Sequence, residues 1–122
     1  MIEKRDLEEI VGREVTGVTV NPGSVSLSFN GSGGNGGWIL VQCRFVLQAA
    51  GGQTIGNATL PESAALLLSC LNRKIVDARF DESKVLTLHF EAEQFLQLIP
   101  EKDGLESYVL HTAQGVVPVI DF

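Results

Sequence analysis

Ile10-Val11-Gly12-Arg13-Glu14-Val15 and Cys70-Leu71-Asn72-Arg73-Lys74-Ile75 are two copies of one pattern, offset by 60 positions. In each, two apolar residues lead to Gly or Asn, then to an arginine and a second charged residue, and then to a β-branched residue. Gly and Asn are the residues that most easily adopt left-handed backbone, so Gly12 and Asn72 predict helix stops at matching places.

The correspondence continues downstream. Val18 and Val20 stand above Ala78 and Phe80. After one inserted residue, Val25, Leu27 and Phe29 stand above Leu86, Leu88 and Phe90. Apolar residues at every second position, with Ser24, Ser26 and Ser28 or Thr87 and His89 between them, predict strands with one buried and one wetted face. Turns are expected at Asn21-Pro22-Gly23 and near Asp81-Glu82-Ser83-Lys84. Val76, Ala78 and Phe80 are expected inside the second copy, with Asp77, Arg79, Thr87 and His89 outside.

Upstream of each stop a short helix is expected. Asp6 and Glu9 have capping-box spacing, which predicts a helix over 6–11 with Leu7, Ile10 and Val11 on one face. In the second copy Pro61 suits a first helical turn, Glu62 favours the positive end of the dipole, and 64–71 are strong helix formers.

A third strand is expected over 38–47, and a shorter counterpart over 94–99 after Glu91-Ala92-Glu93. The glycine-rich stretch 31–37 reads as a mobile hairpin loop: no Gly-Lys-Ser/Thr follows it, and it leads into a strand rather than the helix a phosphate loop requires. Gly51-Gly52 and Gly115 signal two more hairpins. The fold class expected is α+β and mostly antiparallel β, with about eight to nine short strands in a curled or split sheet and two short helices. It would be built from two α-β-β-β-like repeats, approximately 6–58 and 61–120, within a single domain over 1–122.

Composition narrows the function. The chain has 122 residues and a net charge of -6, from 15 acids and 9 bases. That charge repels a phosphate backbone and makes direct nucleic-acid binding an unsuitable role, whereas it speeds encounter with a basic protein. The longest apolar run, Ala64 to Leu68, is far below the about 20 residues of a membrane span, and no export signal is read at the start, so a cytoplasmic protein is expected. Cys43 and Cys70 lie in apolar segments 27 positions apart and read as buried free thiols, not as metal ligands. No metal and no cofactor is expected.

Catalysis finds little support in these residues. Nucleophilic chemistry needs a base held beside a hydroxyl or thiol, and the chain offers His89 and His111, both expected to face solvent outside any catalytic motif. The single Trp38 and single Tyr108 read as half-buried core anchors. The acids are concentrated in the second half, where residues 76–106 hold eight of them against Arg79, Lys84 and Lys102. A protein-binding face is therefore expected there, with Asp77, Asp81, Glu82, Glu91 and Glu93 as its candidate residues and no catalytic residues assigned.

The combined pattern is Leu7-x-x-Ile10-Val11-Gly12-Arg13-x-Val15-x-x-Val18, Leu27-x-Phe29, Trp38 leading into Arg44-Phe45-x-Leu47, and Glu106-Ser107-Tyr108-Val109-Leu110. It resembles a family of small uncharacterised bacterial domains and, more loosely, the immunity proteins of contact-dependent growth-inhibition toxins. This chain departs from that pattern at Tyr108, where Trp is preferred, and in the length of its Gly-rich insertion. The resemblance implies a non-enzymatic protein that binds one cognate toxin domain, a basic one such as a nuclease, and occludes its active site. A rival expectation is a structural or regulatory module that self-associates through a strand edge, with the serine face Ser24, Ser26 and Ser28 as one candidate surface. A small hydrolase built on a histidine with a carboxylate or Cys43 is the third.

Overall fold

The computed structural model describes residues 1–31 and 36–122. Most of the glycine-rich loop expected between the second and third strands therefore lies outside the described residues. The elements are α1 (Lys4–Ile10), β1 (Val15–Asn21), β2 (Ser24–Phe29), β3 (Gly37–Val41), β4 (Arg44–Ala49), β5 (Gly52–Asn57), α2 (Pro61–Ala64), β6 (Ile75–Phe80), β7 (Leu86–Phe90), β8 (Gln94–Ile99), β9 (Glu106–Thr112) and β10 (Gly115–Ile120). A 3-10 segment, Ala65–Cys70, continues α2, and a single 3-10 turn, Glu91–Glu93, precedes β8. Among the described residues no helix is long and apolar enough to cross a membrane.

Two five-stranded antiparallel sheets form, with strand orders β1-β2-β3-β9-β10 and β5-β4-β8-β7-β6. Each sheet takes three consecutive strands from one half of the chain and a hairpin from the other. The hairpin β4–β5 leaves the first half to pair with β8, and β9–β10 leaves the second half to pair with β3. The helices cross over too: α1 packs on β6, and the 3-10 segment after α2 packs on β1. The sheet is thus split in two, and among the described residues the strands number ten, against the about eight to nine expected.

The crossing corrects the single third strand expected over 38–47. The chain leaves the first sheet at Gln42 and enters the second at Arg44, with Cys43 buried at the step. Alternation alone cannot register such a step, because Ile39, Val41, Cys43 and Phe45 all remain buried across it.

The two halves meet along the duplicated pattern. Val15 N–H donates to the Arg73 carbonyl at 3.0 Å and Ile75 N–H donates to the Arg13 carbonyl at 2.8 Å. Just outside this pair, Gly12 N–H reaches the Ile75 carbonyl at 2.7 Å and Asn72 N–H reaches the Val15 carbonyl at 2.8 Å. Both of these residues have positive φ, 89° for Gly12 and 66° for Asn72. The left-handed turn aims each amide across the junction, so the expected helix stops also fasten the halves together.

Both first strands then bulge at equivalent places, between Val15 and Gly17 in β1 and between Ile75 and Asp77 in β6. The bulge turns Val76 outward, where it is 45% exposed, and seats Ile75 in the core in its place. This corrects the inward placement expected for Val76. Helix α1 also begins two residues earlier than its expected start at Asp6. Asp6 sits in the first turn and its Oδ2 accepts the Glu3 N–H at 2.8 Å, making Glu3 the capping position. Most of the second helix is the tighter 3-10 form, with α2 itself confined to Pro61–Ala64.

One contiguous core lies between the sheets, with Leu27, Ile39 and Leu110 from the first and Phe45, Leu88 and Leu96 from the second all fully buried. Each such side chain contributes about 2 kcal/mol of burial. Tyr108 is fully buried as well, and its hydroxyl donates to the Lys84 carbonyl at 2.7 Å, tying β9 of one sheet to the β6–β7 turn of the other. Trp38 is not a core anchor: it lies on the outer face of the first sheet and is 38% exposed.

Candidate functional site

The outer face of the second sheet carries a groove of about 330 Å³ lined by Asp77 and Arg79 from β6, Thr87 and His89 from β7, and Phe95 from β8. Strand register assembles it. Asp77 is opposite His89, Arg79 is opposite Thr87, and His89 is opposite Phe95, so all five side chains point away from the core. The inward partners that force this orientation are Ala78, Leu88 and Leu96, all buried.

The His89 imidazole stacks on the Phe95 ring with centroids 4.2 Å apart and planes inclined by 12°. This half-buries both rings, whereas alternation alone predicts a fully solvated histidine. Arg79 Nε donates to Asp77 Oδ2 at 3.0 Å, and the guanidinium holds the Asp77 carboxyl below the usual carboxylate range. Glu93 Oε2 stands 3.7 Å from His89 Nε2, and its side chain is otherwise open to water. Gln97 Nε2 donates to Thr87 Oγ1 at 3.4 Å.

The five acids expected to form one face divide between the two ends of the β6–β7 hairpin. Asp77 and Glu93 border the groove. Asp81 and Glu82 lie at the far end, in the turn, where Asp81 Oδ1 accepts the Ser83 and Val85 amides at 2.9 and 3.0 Å. Glu91 accepts the Lys74 amide at 3.2 Å, the role that Asn30 performs for the Glu14 amide at 2.8 Å in the first half. Asp81 and Glu91 thus satisfy the backbone. Of the groove residues only Asp77 belongs to the binding face expected from sequence; Arg79, Thr87 and His89 are expected merely to face out, and sequence reasoning does not single out Phe95. Its signal was the alternation of 94–99, which turns Phe95 outward once Leu96 and Leu98 face in.

Other polar clusters are committed to their own neighbours. In a wider hollow of about 610 Å³ beside α1, Arg13 donates to the Glu9 carbonyl at 2.6 Å and the Asn30 carbonyl at 3.1 Å. His111 belongs to the opposite side of the molecule, stacked on Trp38 at 3.4 Å, and burial lowers its pKa. Cys43 and Cys70 are free and buried, and burial pushes both thiols up to about 12. Neither presents a thiolate to either histidine. The groove therefore offers an aromatic platform, an ion pair, a hydroxyl and a carboxylate on a rigid sheet, an assembly suited to holding a side chain of a partner.

No family model, characterised protein or solved structure matches the chain.

Proposed function

We propose that the chain is a non-enzymatic binding protein of the immunity type, which acts in the cytoplasm by covering the active site of a cognate toxin domain. The observation that carries this reading is the groove on the second sheet, where the His89 of the Phe95–His89 stack stands opposite Asp77 and 3.7 Å from the Glu93 carboxylate. An aromatic surface bordered by acids on a rigid strand platform favours a basic partner. Its rings supply contact area, and the carboxylates supply attraction for Lys or Arg.

The net charge of -6 adds long-range steering toward a cationic domain such as a nuclease. In this reading Asp77 and Glu93 make direct contacts, Glu82 contributes to the field, and Asp81 and Glu91 act by holding the turns in shape.

The test is stopped-flow association with the toxin domain encoded beside this gene. Asp77→Lys combined with Glu93→Lys should slow association at low salt by about tenfold or more, and the difference should shrink as salt rises. An association rate equal to wild type would reject the groove as the contact face. Failure of the wild-type chain to bind any product of a neighbouring gene would reject the immunity reading itself.

A further inference from the structure

The first sheet turns a different surface to solvent. Ser26 and Ser28 pair with Leu40 and Trp38, and these in turn pair with Val109 and His111, so the outward face is a lattice of hydroxyls, aliphatic groups and one indole. The strands β1, β2, β3 and β10 contain no Asp, Glu, Lys or Arg, and β9 contributes Glu106 alone, at its first position. Charged residues make up 20% of the whole chain, so the neutrality of this sheet is a local property. Burial lowers the pKa of His111, keeping the face uncharged at neutral pH. Side chains shield one another there: Val109 points outward yet is 6% exposed, while Trp38 and Val116 stand proud at 38% and 61%.

We infer that this face is the contact through which two copies of the chain pair, sheet against sheet about a two-fold axis. The occupant follows from charge and shape. Two molecules of net charge -6 repel one another, and repulsion is least where the approaching surfaces carry no charge of their own. An uncharged face is matched by another uncharged face, and a two-fold axis presents each copy with such a surface. Five strands about 4.8 Å apart and about 20 Å long cover roughly 500 Å² per copy, near the lower bound for a specific interface, so the pair should be a weak reversible dimer. Because the two sheets enclose one core, pairing through the first leaves the groove of the second facing outward on both copies. The inference therefore stands independently of the toxin-binding proposal.

Sedimentation velocity on the full chain, over a concentration series reaching about 500 µM, tests it. Wild-type protein should shift from monomer toward dimer, and added salt should leave the dimer unchanged or tighten it by screening the residual repulsion. Ser26→Glu and Ser26→Lys should each weaken pairing by about tenfold or more, because a charge of either sign is desolvated at the contact. Thr87→Glu, on the opposite face, should pair as wild type does. Far-UV circular dichroism identifies variants that keep the fold, and Trp38→Ser replaces any Ser26 variant that loses it. A wild-type chain that stays monomeric throughout overturns the inference. So does a dimer abolished by Thr87→Glu, one that Ser26→Lys strengthens, or one that salt dissolves.

Discussion

Gly56 lies directly against the ring of Phe45, its cross-strand partner in the β4–β5 hairpin, with no room for a methyl group between them. Gly12, by contrast, has open space where a Cβ would stand but holds φ at 89°. The two glycines are required for different reasons. Gly56→Ala must displace a fully buried aromatic ring and should cost about 2–4 kcal/mol. Gly12→Ala meets only the backbone penalty and should cost about 1 kcal/mol. Urea denaturation of the two variants checks the order, and a Gly12→Ala loss as large as that of Gly56→Ala would contradict it.

Tyr108→Phe should lose about 1–2 kcal/mol while keeping the fold. The hydroxyl is one of the links between the sheets, and its removal leaves the Lys84 carbonyl short of a donor in a partly buried place. Chemical denaturation measures the loss, and a variant as stable as wild type would show that water replaces the phenol without penalty.

Both cysteines should resist alkylation in the native protein. With the thiols pushed up to about 12 by burial, the thiolate fraction at pH 8 is about one in ten thousand. Iodoacetamide at that pH should leave Cys43 and Cys70 unmodified for as long as the chain stays folded and should label both in denaturant, as read by intact mass. Rapid native labelling of either residue would refute the buried placement.

His111 should make stability depend on pH. Burial beside Trp38 lowers its folded pKa, so in acid the unfolded chain binds a proton that the folded chain resists. Stability is therefore fully present above the unfolded value of about 6.5 and falls as pH drops below it. Denaturation midpoints between pH 7.5 and pH 5 should decline for wild type and decline less for His111→Gln. Parallel slopes for the two proteins would remove His111 as the cause.

Much of the architecture is legible in the order of residues, because duplication and alternation are both local signals. Gly12 and Asn72 mark their turns by residue type alone, and Leu86, Leu88 and Phe90 mark a buried strand face by spacing. The exchange of hairpins is not legible. Cys43 at the crossing looks like any other buried strand residue, and the pairing of β4 with β8 joins segments about 50 positions apart. The outward histidines were placed on the correct faces, but their aromatic partners lie on neighbouring strands whose register a single sequence does not specify. For the same reason the five acids read as one cluster along the chain, although a hairpin's length separates Asp81 and Glu82 from Glu91 and Glu93.

The exchange of β4–β5 for β9–β10 also constrains how the protein is made. When the first 57 residues have been synthesised, β3 still lacks its neighbour and the hairpin beside it has no sheet to join. Both vacancies are filled by strands from the second half, the last of which ends at Ile120. Folding must therefore wait until β9 and β10 have been synthesised and are free to pair. It should then proceed slowly and all at once, as expected of a topology dominated by distant contacts.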